Sequence, residues 1–159
     1  MPKIDLKDRA SYTHWTPVHI RFADMDILRH VNNVAQAEYF EASRTAFVYD
    51  VIELAGVDQS NEFVLARVVI DFHKELHYPG SVEVGARLTR IGTKSITSGY
   101  GIFQGDTCFA TSEAVNVFYD LSTRTTMTPA PEVRALLERE LEHPTLVASH
   151  RVRLLRKKG

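Results

Sequence analysis

A single long segment with helical periodicity, set among segments that alternate like β-strands, limits the folds open to this chain. Its apolar side chains recur every three or four residues along one broad stripe, formed by Tyr39, Phe40, Ala42, Ala46, Phe47, Val51 and Leu54. Such a stripe predicts a long helix whose apolar face is buried against another element. Asn32 or Asn33 is suited to cap its start, and Gln36 is spaced for a capping-box contact to Asn33. Gly56 is suited to close its end.

Segments with the two-residue period of β-strands lie on both sides of this helix. One alternating run, from Thr16 to Phe22, precedes it. Four longer runs follow, at 64–72, 82–88, 96–102 and 108–119. Turn residues separate these four runs, so we expect the runs to pair in succession as hairpins, the first one around Pro79-Gly80. In the first of the four, the side chains expected to share one face are Val64, Ala66, Val68, Ile70 and Phe72.

A second, shorter helix is predicted to begin at Pro131 and to end before Pro144. The element order is therefore strand, long helix, four strands, short helix. Only the sheet can bury the apolar stripe of the long helix. The predicted fold class is α+β, an antiparallel sheet wrapped around one long central helix, and 159 residues suit a single domain.

Charge and composition exclude several classes of function. The formal net charge is −1, so the chain has no overall field that would attract nucleic acid. The one cysteine, Cys108, excludes an intrachain disulfide and a zinc site built on several cysteines. The N-terminal region has no apolar signal segment, and no apolar run approaches the roughly 20 residues that span a bilayer. We therefore expect a cytoplasmic protein without a cofactor, a metal or a nucleic-acid partner.

A local charge bias stands out at the end of the chain. The last ten residues, 150–159, carry five of the 19 basic residues and no acidic residue. A basic tail on an acidic body can attract a phosphorylated ligand, and it can equally be a frayed terminus without a role. The residues leave both interpretations open.

The segment from Arg21 to Arg44 holds the side chains best suited to chemistry. Asp24 and Asp26 lie in the loop before the long helix, and Asp26 stands seven residues before Asn33. A helix N-terminus offers unpaired N–H groups and positive charge to a developing oxyanion. A nearby carboxylate can then act on the same carbonyl as base or nucleophile. Two loop acids that only stabilise the helix, by lying near the positive end of its dipole, would give the same sequence pattern.

Four short motifs of this segment together resemble the signature of the 4-hydroxybenzoyl-CoA thioesterase family, and most closely its bacterial acyl-CoA thioesterases. The motifs are Asp24-Met25-Asp26, His30-Val31-Asn32-Asn33, Tyr39-Phe40-Glu41 and Arg44. The resemblance covers roughly residues 16–142 in element order. It implies the hot-dog fold and hydrolysis of an acyl-CoA thioester to a free acid and coenzyme A.

The resemblance also implies roles for individual residues. Asp26 would be the catalytic carboxylate, as general base or as nucleophile, and the backbone N–H of Asn33 would polarise the thioester carbonyl. The residues implied to contact the substrate are His30, Val31, Asn32, Thr93, Lys94 and Ser95. The last three form a turn that would approach the phosphopantetheine or phosphates of coenzyme A.

Several alternatives stay open at this point. Some relatives place a catalytic glutamate on the helix, and Glu38 and Glu41 are available for that role. A hot-dog hydratase would pair Asp26 with a histidine, and His30 is only four residues away. A non-catalytic hot-dog protein could bind an acyl-CoA or an acyl carrier. The family further implies an active site at the subunit interface. Because a single helix leaves the other face and the edges of the sheet uncovered, we expect a homodimer, or two dimers paired into a tetramer.

Overall fold

The structure, a computed structural model, describes residues 3–55, 61–144, 148 and 156–157. The elements of this part are β1 (His14–His19), α1 (Asn33–Ala55), β2 (Asn61–Phe72), β3 (Ser81–Ile91), β4 (Ser95–Gln104), β5 (Thr107–Asp120), β6 (Thr125–Thr126) and α2 (Pro131–Glu142). Neither described helix is long and apolar enough to cross a membrane. Gly56 and most of the basic tail lie outside the described residues, so the predictions for them stay predictions.

All the strands pair antiparallel in one sheet of order β1-β3-β4-β5-β2, and β6 pairs with β5. Helix α1 lies against β1, β3 and β4 and is buried there, as its apolar stripe predicts. The fully buried core between helix and sheet includes Phe40, Phe47, Val84, Tyr100 and Ile102. Helix α2 adds Leu137 to the same core.

Strand β2 does not pair with the strand that follows it. The predicted hairpin around Pro79-Gly80 is wrong, because β2 pairs with β5 and forms one edge of the sheet. The connection from β2 to β3 instead passes beside the start of α1, where the carbonyl of Leu76 accepts a 2.7 Å hydrogen bond from the N–H of Val31. This connection therefore belongs to the surroundings of the predicted site.

A bulge in β2 changes which of its side chains face the helix. The register with β5 shifts between Leu65 and Arg67, so one extra residue enters β2. Phe63 and Leu65 consequently share the helix-facing side with Val68, Ile70 and Phe72. The prediction that Val64 and Ala66 belong to that side is wrong, because the added residue reverses the alternation. The first strand also differs from the predicted run, Thr16 to Phe22: β1 ends at His19, and Phe22 begins a 3₁₀ turn, Phe22–Asp24.

The N-terminal segment, residues 3–13, covers the opposite face of the sheet, and we call it the strap. Its Tyr12 is buried and donates a 2.6 Å hydrogen bond to the carbonyl of Leu6. Glycines on β3 and β4 make room for it: a Cβ on Gly85 would lie 2.5 Å from the Tyr12 ring, and one on Gly99 would lie 2.5 Å from Leu6. The strap therefore fits a groove that side chains at these positions would fill.

Candidate active site

The loop that carries Asp26 is a tight turn between β1 and α1. Met25 and Val31 form an isolated antiparallel bridge across its base. Inside this bridge, the N–H of Asp26 donates to the carbonyl of His30 and the N–H of Arg29 donates to the carbonyl of Asp26, each at 3.0 Å. Arg29 has a positive φ of 63°, which the turn requires. The backbone therefore holds Asp26 and His30 side by side.

The two aspartates of the loop have opposite environments. Asp24 is only 1% exposed, and its Oδ1 accepts 2.7 Å and 3.0 Å bonds from the guanidinium of Arg21. Its Oδ2 accepts bonds from the Arg21 N–H at 2.9 Å and from the Tyr39 hydroxyl at 2.5 Å. Burial acts to raise the pKa of the Asp24 carboxyl, but these hydrogen bonds outweigh it and lower that pKa below its ordinary value. Asp24 is thus an ionised group whose oxygens are both engaged.

Asp26 is exposed and only partly engaged. Its Oδ1 accepts hydrogen bonds from the N–H groups of Leu28 at 2.9 Å and His30 at 3.4 Å. These bonds fix the carboxylate against its own turn. Within the described part of the chain, no hydrogen bond reaches Oδ2. One oxygen of Asp26 is therefore positioned and the other is open to a ligand or to water.

Helix α1 begins beside this loop and is capped by Asn32. The Oδ1 of Asn32 accepts a 2.7 Å bond from the N–H of Ala35, so Asn33 is the first helical residue. The predicted capping-box contact from Gln36 to Asn33 is wrong, because the Gln36 amide instead donates to the carbonyl of Val31 at 3.3 Å. Among the described residues, no hydrogen bond uses the N–H of Asn33. This N–H is available to an oxyanion.

A cavity of about 260 Å³ lies at this end of α1. His30, Val31, Asn33 and Gln36 line one side of it, and residues 72–76 line the other. Of the predicted site residues, the structure thus brings His30, Val31 and Asn33 to one cavity, whereas Asn32 caps the helix beside it. Asp26 does not line the cavity itself; it lies in the same turn as His30, which does.

The predicted coenzyme A contacts Thr93, Lys94 and Ser95 lie elsewhere, in the turn between β3 and β4. Along β4, Ser95 is seven residues from Ile102. Ile102 pairs with Ala110 of β5, which pairs with Phe72 of β2, and Phe72 lines the cavity. Ile102 therefore marks the level of the cavity on β4. Seven strand residues correspond to about 24 Å. The structure does not bring this turn and the Asp26 loop together within one chain.

The helix glutamates stand apart from the cavity. Glu38 is exposed and its Oε2 is 3.2 Å from Nη2 of Arg21. Glu41 is exposed as well, with its Oε2 4.0 Å from Nη2 of Arg44, and the pair lines a different cleft beside β2. Neither glutamate lines the cavity that holds Asn33.

The cavity contains residues that the motif pattern did not identify. His73, Lys74 and Glu75 follow the end of β2 and form its far wall. Their only signal in the sequence is a run of polar residues directly after a predicted strand. Within the described residues, no group of three or more histidine, cysteine or carboxylate side chains is arranged to hold a metal ion.

Comparison with known proteins gives this geometry a context. The family model described as the thioesterase-like superfamily matches residues 20–137. YsmA of Bacillus subtilis, an uncharacterised protein, is 22% identical over 103 residues, which are 64% of this chain and 69% of YsmA.

Solved structures are similar in fold. The PA5185 protein of Pseudomonas aeruginosa is 25% identical, with a TM-score of 0.70 over 83% of this chain and 94% of that one. YbaW of Escherichia coli, described as a probable thioesterase, is 20% identical, with a TM-score of 0.70 over 81% and 99%. A predicted thioesterase of Bacillus stearothermophilus is 23% identical, with a TM-score of 0.69 over 79% and 93%. The expected hot-dog fold, a curled antiparallel sheet with one long helix, is confirmed.

Proposed function

Because this chain belongs to the thioesterase-like superfamily, we propose that it hydrolyses an acyl-CoA thioester, with Asp26 as the catalytic carboxylate. The observation that carries the proposal is the contrast between the two aspartates of one loop. Asp24 is buried and saturated by Arg21 and Tyr39, whereas Asp26 is exposed with one oxygen open. A carboxylate can act on water or on a carbonyl only through an oxygen that is free to approach it.

In the proposed reaction, the thioester carbonyl accepts a hydrogen bond from the N–H of Asn33. This unpaired N–H lies at the positive end of α1, which favours the negative charge that develops on the carbonyl oxygen. Asp26 either removes a proton from an attacking water or attacks the carbonyl carbon itself to form an anhydride. Both routes end in a free acid and a free thiol.

Thiol release from a panel of acyl-CoAs tests this proposal directly. Asp26→Asn keeps the shape of the side chain and should lower turnover by on the order of 10²-fold or more. Asp120→Asn is the matched control, because the half-buried Asp120 accepts the same kind of turn bond, from the N–H of Ser122 at 2.8 Å. A protein that binds acyl-CoA without releasing thiol would be a binding module. Equal turnover by Asp26→Asn and Asp120→Asn would show that Asp26 is not the catalytic carboxylate.

We further propose that the active unit is a homodimer joined along β2. This strand is an edge of the sheet, and its helix-facing side chains Leu65, Val68 and Phe72 are 40–43% exposed. An apolar edge of this length is uncommon on a monomer. Arg44 supports the proposal that this surface is an interface. It is only 9% exposed, and its ion-pair partner in the described residues, Glu41, is 4.0 Å away. A buried guanidinium needs closer acceptors, which a second copy can supply.

The dimer proposal also assigns a role to the turn at 93–95. Since Lys94 lies about 24 Å from the cavity of its own chain by strand length, it can serve only a cavity formed with another copy. A phosphate contact from Lys94 therefore requires a composite site. Lys94→Ala should raise the Michaelis constant for acyl-CoA with little change in maximal rate, and an unchanged Michaelis constant would remove this turn from the substrate site.

A further inference from the structure

We propose that His30 protonates the leaving thiolate of the substrate, and that Glu75 is the positioning residue that holds its ring for this step. The inference rests on the proposed thioester hydrolysis and concerns the same cavity. Hydrolysis of a thioester releases an alkyl thiolate, whose conjugate thiol has a pKa of about 8.5 or more, so at neutral pH the sulfur takes up a proton as the C–S bond breaks or soon after. A side chain beside the scissile bond that carries a proton would supply this need.

The position of His30 follows from the turn that it shares with Asp26. Its carbonyl accepts the N–H of Asp26 at 3.0 Å, and its own N–H donates to Oδ1 of Asp26 at 3.4 Å. Its side chain lines the cavity together with Asn33. A carbonyl held by the N–H of Asn33 would therefore have the Asp26 turn and the His30 ring on the same side of α1.

Glu75 engages one nitrogen of the His30 ring. Its Oε2 is 3.2 Å from Nε2 of His30 and 3.7 Å from Nε2 of His77. The two imidazoles are edge to face at 5.3 Å, and Nδ1 of His77 is 3.1 Å from the carbonyl of Arg29. Glu75 thus links the two rings and ties the β2–β3 connection to the loop. With Nε2 3.2 Å from a carboxylate oxygen, Nδ1 is the nitrogen of His30 that remains for a ligand.

The other polar groups of the cavity are less suited to this role. Nε2 of His73 is already bonded to Oγ1 of Thr111 at 2.8 Å. Burial, together with the charge of Lys7, lowers the pKa of His73 below its ordinary value despite the opposing charge of Asp71, so its ring is mainly neutral near pH 7. Lys74 lines the cavity but is exposed. His30 is therefore the histidine that is both placed in the cavity and paired with an acid.

On the water route, Asp26 is the base and His30 is the acid. Asp26 takes one proton from water as the water oxygen bonds to the carbonyl carbon, and the carbonyl electron pair moves to the oxygen held by Asn33. That pair then re-forms the carbonyl, and the C–S bond breaks with its electrons going to sulfur. His30 enters this step as an imidazolium: the proton on its Nδ1 passes to the sulfur, and the neutral ring keeps the proton on Nε2, toward Glu75. Asp26 returns its proton to solvent and His30 takes one from solvent, so the net reaction consumes one water.

The sharpest test changes the leaving group. The same acyl group is offered as its CoA thioester and as its p-nitrothiophenol thioester, whose thiolate leaves without a proton. His30→Asn should lower turnover of the CoA thioester by about 10²-fold and leave turnover of the aryl thioester within about threefold. Asp26→Asn should lower both. Glu75→Gln should follow His30→Asn with a smaller loss, and Glu75→Asp should restore part of it. Glu138→Gln is the control, since Glu138 is an exposed glutamate paired with Arg134 at 3.1 Å on α2.

The outcomes separate the two proposals. If the wild-type protein hydrolyses neither thioester, the proposed function is wrong. If it hydrolyses both and His30→Asn loses equally on both, His30 has a structural or binding role and this inference alone is overturned. If Glu75→Gln loses no more activity than Glu138→Gln, Glu75 does not position His30. A loss confined to the CoA thioester, shared by His30→Asn and Glu75→Gln, supports the inference.

Discussion

The hydroxyl of Tyr39, on the second turn of α1, donates a 2.5 Å hydrogen bond to Oδ2 of Asp24 in the loop before the helix. This contact ties the loop to the helix that it precedes. Because Arg21 occupies the other oxygen, Asp24 is held as a structural anion, and the neighbouring Asp26 is left to face solvent. The burial of Tyr39 and its bond to Asp24 both raise the pKa of the tyrosine hydroxyl, so it remains a donor.

Asp24→Asn should destabilise the fold by about 2 kcal/mol, because charge-assisted hydrogen bonds from Arg21 and Tyr39 are lost. Asp26→Asn is the matched control and should change the free energy of unfolding little, since Asp26 is exposed. Urea unfolding of both variants measures the difference. Equal stabilities would show that the buried network contributes nothing net.

The effect of Asp24→Asn on the free energy of unfolding should depend on pH. The pKa of the Asp24 carboxyl is lowered in the folded state, so its ionised form stabilises the fold above the ordinary pKa of aspartate. That contribution is lost as the pH falls through the lowered folded-state pKa. The gap in the free energy of unfolding between wild type and Asp24→Asn should therefore be widest near neutral pH and shrink on acidification. A gap that grows in acid would contradict the assignment.

Asn33→Pro should abolish most turnover without unfolding the helix. Asn33 is the first residue of α1, where proline is well tolerated and where only the N–H is removed. Loss of one oxyanion donor costs on the order of 10²-fold in rate. Asn33→Ala, which keeps the N–H, is the control and should retain most activity. If both variants turn over equally, the N–H of Asn33 is not the oxyanion donor.

Gly99→Ala should destabilise the protein by about 1–3 kcal/mol, because the new Cβ would lie 2.5 Å from the Leu6 side chain of the strap. Shortening that side chain removes the clash. The double variant Gly99→Ala with Leu6→Ala should therefore lose less stability than the sum of the two single variants. Strict additivity in thermal unfolding would mean that the strap does not occupy this groove in solution.

Val68→Glu should dissociate the proposed dimer, because it places a charge on the exposed apolar side of β2. Sedimentation at micromolar concentration should report two chains for the wild type and one for the variant. Lys74→Glu, an exposed position just beyond the strand, would show whether added charge near this edge suffices. A monomeric wild type with full activity would refute both the dimer and the composite site.

The part of the fold predicted from sequence is the part decided by local pattern. The stripe of α1 and the cap at Asn32 depend on residues a few positions apart, and both have the predicted kind of structure. The pairing of β2 with β5 depends on segments some fifty residues apart, and no local periodicity encodes it. The bulge after Leu65 is equally hidden, because an alternating run looks regular until its partner strand fixes the register.

The candidate site shows the same division between residues placed by local sequence and residues placed by long-range pairing. Asp26, His30 and Asn33 are close in sequence, and one turn and one helix start bring them together. Glu75 stands 45 residues from His30, and only the unexpected path of the β2–β3 connection places it beside that ring. Lys94 lies at the far end of the sheet from the Asp26 loop, so its predicted contact with coenzyme A depends on a second copy of the chain, which no local motif encodes.

Trp15, the one tryptophan of the chain, lies under the strap. Its ring meets those of Tyr12 and Phe103 edge to face at 5.7 Å, and the guanidinium of Arg9 lies 4.1 Å from its centroid. The molecule therefore has a built-in fluorophore that reports on its N-terminal segment. Release of the strap should shift the emission to longer wavelength while the circular dichroism of the sheet and helix is unchanged, so detachment of this segment can be observed separately from global unfolding.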